Sequence, residues 1–281
     1  MAKKAAIITV HGMGRTDPSY ADDLRAELKL RLGTKFQKLH FGRIYYQHIL
    51  QPNEDRVWNA VGPRVRWDGL RQFLLFGFAD AAGLESSKDG RNSGYWLAQI
   101  EIAKELLRAR EAMKGDGPVL VLAQSLGGQV ASCYFWDANC KQPGAGIWTD
   151  IEAAAKDITG GRALTAEEIG FLRGSNFKVF FTTGCNIPVF VAAHAKDKIL
   201  PIQPNKGFRW LNYYDRDDVL GWPLAELSAE YSKVVEDVAI NAGGGVFNWL
   251  IKSWNPMSHT QYWADDDVLD PLEAQLRSML G

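Results

Sequence analysis

The sequence predicts an α/β protein: a doubly wound, mostly parallel sheet with helices on both faces and inserted cap segments. Three observations carry that expectation. Apolar runs of strand length alternate with amphipathic segments of helix length, and the runs are apolar throughout rather than at every second residue. The segments between them are long enough for right-handed helical crossovers, which join parallel neighbours and cover both faces of their sheet. The 281 residues, 46% of them apolar, suffice for one core with a modest insertion, so a single domain over 1–281 is expected.

Taken in order, Ala5 to Val10 (AAIITV) is the β-branched apolar run of a strand buried on both faces. Asp17 and Pro18 start a helix, and Tyr20 to Leu32 runs amphipathically to a stop at Gly33. Residues 41–50 (FGRIYYQHIL) read as a second strand. Residues 52–97 break the alternation, with Trp58, Trp67, Phe73, Phe76, Phe78, Tyr95 and Trp96 around the polar stretch SSKDGRNSG. Ala98 to Met113 is a helix, with Ile100, Ala103, Leu106, Leu107 and Arg110 at helical spacing. Val119 to Ala123 is the next strand, and the helix after Ser125 extends towards Asn139. Residues 140–176, rich in Gly and Ala, carry a helix start at Thr165 followed by Glu167 and Glu168. Phe177 to Thr183 and Phe208 to Tyr214 are further strands, and Leu269 to Leu280 closes the chain as a helix. The segments 52–97 and 140–176 are long for simple connections; each is either a cap over a site or surface helices packed on the sheet.

Composition excludes several classes. A net charge of −1 without a basic stretch gives no footprint for nucleic acid. No apolar run approaches the ~18 residues that span a bilayer, and the first strand is too short for a signal segment, so a cytoplasmic location is expected. Cys133, Cys140 and Cys185 lack metal-ligand or CxxC spacing; Cys133 and Cys140 read as packed thiols on a helix.

The chemistry enters at residues 118–129, PVLVLAQSLGGQ. A buried strand delivers Ser125 onto a tight turn that opens a helix, and such a turn needs small neighbours because its serine is held in a strained conformation. Ala123 and Gly127 stand two residues before and after Ser125, where the usual pattern has Gly at both. The first strand ends in His11-Gly12-Met13-Gly14, a sharp turn whose N–H groups suit a developing oxyanion. The backbone N–H groups of Met13 and Leu126 are the expected donor pair. His11 reads as the residue that orders this turn.

A serine nucleophile needs a base. His40 and His48 flank a predicted strand and read as partly buried structural residues, which leaves His194 and His259. The order Ser, acid, His favours His259, in the turn-rich WNPMSHTQYW before the final helix. The acid is expected past the strand beginning near 208, where Tyr213 to Gly221 offers three carboxylates. Asp217 with Val219 fits an acid–x–β-branched pattern, Asp218 is the near alternative, and Asp197 in KDKILP is a decoy with a similar local pattern.

AIITVHGMG, VLVLAQSLGG, FFTTGCNIPVF, WLNYYDRDDVLGWPL and SHTQYW, in that order, resemble the lipase/esterase-like branch of the α/β-hydrolase superfamily. The resemblance runs from residue 5 to about 270, with Gln124 where that branch often has His and Ala123 for Gly. It implies an α/β-hydrolase fold and a serine hydrolase with Ser125 as nucleophile, His259 as general base and Asp217 as orienting acid. The substrate would be a small-molecule or lipid-like acyl compound, read first as a carboxylic ester. Acyl transfer, thioester or amide cleavage on the same triad and a non-catalytic binding module are the alternatives, and neither metal nor organic cofactor is called for. Trp222, Trp254 and Trp263 flank the acid and histidine loops, where they either line an acyl pocket or pack in the core.

Overall fold

The computed structural model describes residues 2–64, 66, 68–85, 88, 90–140, 144–241 and 262–281. Among the described residues six strands form one parallel sheet: β1 (Ala5–Val10), β2 (Leu39–Ile44), β3 (Val119–Gln124), β4 (Phe177–Thr183), β5 (Arg209–Asp215) and β6 (Val235–Ile240). Their order across the sheet is β2-β1-β3-β4-β5-β6. The α-helices among the described residues are α1 (Asp22–Leu32), α2 (Gln47–Val61), α3 (Asp68–Glu85), α4 (Gly94–Met113), α5 (Leu126–Asn139), α6 (Ile151–Thr159), α7 (Ala166–Leu172), α8 (Ile187–Val191), α9 (Tyr231–Val234) and α10 (Asp266–Leu280).

Alternation along each strand divides the core into two halves. Ala5, Ile7, Leu120, Leu122, Phe181 and Leu211 face α1 and α10, which contribute Leu24, Leu28, Val268, Leu272 and Leu276. Ile8, Val10, Val121, Ala123, Phe180 and Trp210 face the other way, towards Ile102, Ala103 and Leu106 of α4 and Val130 and Tyr134 of α5. Burial on both sides is why these strands are apolar throughout, as expected of a doubly wound α/β fold. The expected Thr165 start is a full capping box: the Thr165 hydroxyl accepts from the Glu168 N–H, and the Glu168 carboxylate accepts from the Thr165 N–H.

Three elements depart from the reading of the sequence. α1 begins at Asp22 rather than at Asp17 and Pro18, which form a turn ahead of it. The second strand covers Leu39–Ile44 rather than 41–50, because α2 begins at Gln47. Its buried residues Gln47, Leu50 and Glu54 follow helical spacing, and a short apolar run such as IYYQHIL does not by itself separate strand from buried helix. The edge strand β6 (VEDVAI) was not expected. Its half-exposed pattern, with Glu236 and Asp237, carries the charges of an edge rather than the signature of a buried strand. Among the described residues no helix is long and apolar enough to cross a membrane.

α6 and α7 pack against α4. The α2–α3 pair, inserted between β2 and α4, lies instead over the carboxyl end of β1, where Gly77 of α3 faces the Met13 thioether. Parts of both long connections (65, 67, 86, 87, 89 and 141–143) lie outside the described residues, Trp67 among them.

Candidate active site

Ligands of open α/β sheets collect at the carboxyl ends of the strands, where the chain reverses its direction of winding. Here β1 is flanked by β2 on one side and β3 on the other, so that point lies between β1 and β3. Ser125 and the His11–Gly14 turn both sit there.

β3 ends at Gln124, and Ser125 caps α5 with φ 53° and ψ −125°. A positive φ in a residue with a Cβ costs on the order of 1–3 kcal/mol and persists only where surrounding contacts impose it. The Ser125 N–H donates to Thr183 O at 2.9 Å, which anchors the turn to β4. On the helical side, a Cβ on Gly127 would lie 2.4 Å from His11 O and 2.7 Å from Val10 O, and one on Gly128 would lie 2.8 Å from Cys185 Sγ. Gly127 therefore lets α5 leave directly against the end of β1, and Gly128 lets it pass against Cys185, just beyond β4. Gly127→Ala is expected to lower stability by about 1–3 kcal/mol, read as a shifted denaturation midpoint. Gly170→Ala on α7, where the added methyl meets open space, should stabilise by about 0.5–1 kcal/mol.

The His-Gly-Met-Gly turn lies against the serine side chain. A Cβ on Gly12 would stand 3.0 Å from Ser125 Cβ and 3.6 Å from Oγ. The hydroxyl oxygen is buried and makes no hydrogen bond among the described residues. A cavity of about 380 Å³ opens onto it, lined by His11, Met13, Phe73, Gln124, Ser125 and Trp263 among others. The Leu126 backbone opens α5 next to the same hydroxyl, and its side chain is buried.

His11 orders the turn. Its Nε2 accepts the Tyr46 N–H at 3.2 Å, so the proton of the neutral ring sits on Nδ1 and is donated to Gly12 O at 2.8 Å. The ring stacks on Tyr46 with centroids 4.0 Å apart, and burial pushes its pKa down to about 4. The imidazole is thus neutral and fully committed at neutral pH. His40 is half-buried with Nε2 2.8 Å from Glu105 Oε1. His48, against the expectation of partial burial, is exposed and stacks on Tyr45. His194 is exposed beside a different cavity that Cys133 and Trp136 line, and Asp197 is exposed near Lys198. His259 and Trp254 lie outside the described residues.

The acidic turn after β5 sorts its three carboxylates by burial. Asp217 points to solvent, and its N–H donates to Asp215 Oδ1 at 2.8 Å. Val219, the other half of the expected pattern, is 54% exposed. Asp218 is buried: Oδ1 accepts the Leu220 N–H at 2.9 Å and Oδ2 accepts the Tyr262 hydroxyl at 2.8 Å. Tyr262 in turn accepts the Asp215 N–H at 2.9 Å. The loop is clamped from the sheet as well, because Asn212 donates to Asp237 Oδ1 and to Trp222 O, and Asp237 receives the Leu224 and Ala225 N–H groups. Next along the chain, the Trp263 indole donates to Thr183 Oγ1 at 3.2 Å, so Trp263 lines the Ser125 cavity, whereas Trp222 is half-exposed away from it.

Two further groups reach the site unannounced by any motif. Asp80 of α3, fully buried, accepts the Gly14 N–H at 2.6 Å on Oδ2 and the Gln47 amide at 3.0 Å on Oδ1. Glu54 of α2 accepts from the same Gln47 amide at 3.2 Å. The signal in the sequence is faint: a lone carboxylate within FLLFGFADAAGL. Among the described residues no group of His, Cys, Asp and Glu side chains is placed to hold a metal ion. No protein-family profile matches the chain, and no curated protein aligns with it significantly. Fold and site together define a doubly wound α/β protein with a strained serine turn at the switch point of its sheet.

Proposed function

We propose that the chain is a serine hydrolase of the lipase/esterase-like branch of the α/β-hydrolase superfamily, cleaving a carboxylic ester through an acyl-enzyme. The observation that carries this reading is Ser125 itself: a buried serine at φ 53° on a strand-to-helix turn, with the Gly12 backbone against its hydroxyl. Nothing in a purely structural turn calls for a strained serine beside a cavity. Ser125 Oγ attacks the acyl carbonyl, His259 takes its proton, and the Met13 and Leu126 N–H groups hold the tetrahedral oxyanion. The intermediate collapses by breaking the ester C–O bond as His259 returns its proton to the departing alcohol. Water, deprotonated by His259, then attacks the acyl-enzyme and releases the acid and Ser125.

The orienting acid is assigned to Asp218 in place of Asp217. A carboxylate that stabilises an imidazolium acts best when buried and held in place. Asp218 meets both conditions through Leu220 and Tyr262, whereas Asp217 faces water. The α2–α3 part of segment 52–97 supplies the cap, with Phe73 on the cavity wall.

Incubation with a fluorophosphonate is expected to add one adduct by intact mass, mapped to Ser125 by peptide analysis. A panel of p-nitrophenyl esters of rising chain length, with thioester and anilide counterparts, then defines the acyl class. A folded protein that takes up no probe overturns the proposal.

A further inference from the structure

Asp80 carries a feature that the triad reading leaves unused. Its helix belongs to the inserted segment, yet its carboxylate accepts the backbone N–H of Gly14, 66 residues away in sequence. Gly14 sits at φ 87° and directly follows Met13, so its peptide orientation sets where the Met13 backbone points. The same helix touches the turn a second time, where Gly77 leaves room for the Met13 thioether: a Cβ there would lie 2.6 Å from its sulfur. The insertion thus grips the turn by its backbone and by its side chain.

The grip contains two carboxyl groups. Glu54 and Asp80 converge on one amide: Gln47 Nε2 donates to Glu54 Oε2 at 3.2 Å and to Asp80 Oδ1 at 3.0 Å. Glu54 Oε1 is buried and has no hydrogen-bond partner among the described residues. Two carboxylates so placed do not both ionise; one shared proton satisfies the pair. The proton belongs to Glu54. Burial raises both carboxyls; at Asp80 the Glu54, Gly14 and Gln47 hydrogen bonds oppose it, whereas at Glu54 the neighbouring Asp80 adds to it and carries that carboxyl up to about 9.

We infer that Asp80 is a positioning residue for the oxyanion-binding turn, and that protonated Glu54 holds it in place. This rests on the serine-hydrolase reading above. The carboxylate fixes Gly14 so that the preceding peptide presents the Met13 N–H to the reacting carbonyl oxygen, an interaction that matters most once negative charge develops there. The other groups facing the pair leave its proton with Glu54. Asp55 on α2 adds negative charge and is itself ion-paired with Arg15 beyond the turn. Arg56 shares a groove with Glu54 on the outer side. The Tyr46 phenol feels the Asp80 charge and stays neutral, its pKa raised by burial.

The sign of the pH effect follows. Glu54 has a raised folded-state pKa, so the stability it contributes is complete below the ordinary glutamate range. It is lost as the pH rises through the raised value. Glu54→Gln donates to Asp80 at every pH and removes that slope.

The test uses the full chain carrying Asp80→Ala, Asp80→Asn or Glu54→Gln, each checked for folding by circular dichroism. Asp80→Ala should speed hydrogen exchange of the Gly14 amide at least about tenfold. It should also lower kcat on a p-nitrophenyl ester at least about tenfold while KM moves less than about threefold, since only transition-state binding is lost. Asp80→Asn keeps the shape but offers a single acceptor oxygen, and carries the same test if the alanine variant does not fold. Glu54→Gln should flatten the alkaline fall of kcat and of stability. Unchanged Gly14 exchange in both Asp80 variants overturns the inference, and so does unchanged kcat in either of them when Ser125 labels normally. Should Ser125 of the native protein take up no fluorophosphonate, the hydrolase reading falls and the positioning role falls with it. The exchange result then still decides whether Asp80 holds the turn.

Discussion

Ser125→Ala is expected to lower ester hydrolysis by about 10⁴- to 10⁶-fold and to eliminate fluorophosphonate labelling, with the fold retained. The magnitude is that of losing a nucleophile from a triad while the oxyanion donors and the binding surface remain. Retention of the fold follows from the environment of the side chain. The Ser125 hydroxyl makes no hydrogen bond among the described residues, so its removal breaks none with them. What holds the turn is its backbone: Ser125 N–H on Thr183 O, and the close approach of Gly127 to His11 and Val10. An alanine at φ 53° is as strained as a serine there, which makes the substitution nearly neutral for stability. Hydrolysis persisting within tenfold of the native rate in Ser125→Ala would place the chemistry elsewhere.

The second large effect separates two adjacent carboxylates. Asp218→Asn is expected to depress kcat by about 10⁴-fold, because an amide in place of the buried carboxylate favours the wrong imidazole tautomer and does not stabilise the imidazolium. Asp217→Asn should change kcat by less than a few-fold, since that side chain is exposed and the turn uses its main-chain N–H rather than its carboxylate. Tyr262→Phe should lie between them. It removes the hydroxyl that donates to Asp218 and accepts from the Asp215 N–H, loosening the carboxylate without discharging it. Steady-state kinetics on one ester across the three variants reads the order directly. A larger loss from Asp217→Asn than from Asp218→Asn returns the acid to the position that the acid–x–Val spacing favours.

The difference between these two residues marks how far the sequence alone reached. A strand-turn-helix with Ser125 at its apex was legible because its requirements are local: a buried run, a small residue before the turn and two glycines after it, all within ten positions. The His-Gly-Met-Gly turn was legible for the same reason, and β1, β3 and β4 because burial on both faces leaves unbroken apolar runs. The second strand ended earlier than expected because apolar spacing in IYYQHIL suits a buried helix equally well. β6 carried no signal of the kind sought, since an edge strand is charged to keep other strands away.

What the sequence determined, then, was the doubly wound parallel sheet and the place on it where the strained serine meets the glycine turn; each rests on the conformational demands of consecutive residues. Only the tertiary structure decided which carboxylates face inward. Asp217 and Asp218 are indistinguishable by composition, and their fates separate because Tyr262, 44 residues further on, returns to hydrogen-bond Asp218. Asp80 reaches Gly14 because the α2–α3 pair folds back over the end of β1. The facing of a side chain across such a span is set by how helices pack on a sheet, and packing depends on the whole buried surface rather than on any run of neighbouring residues.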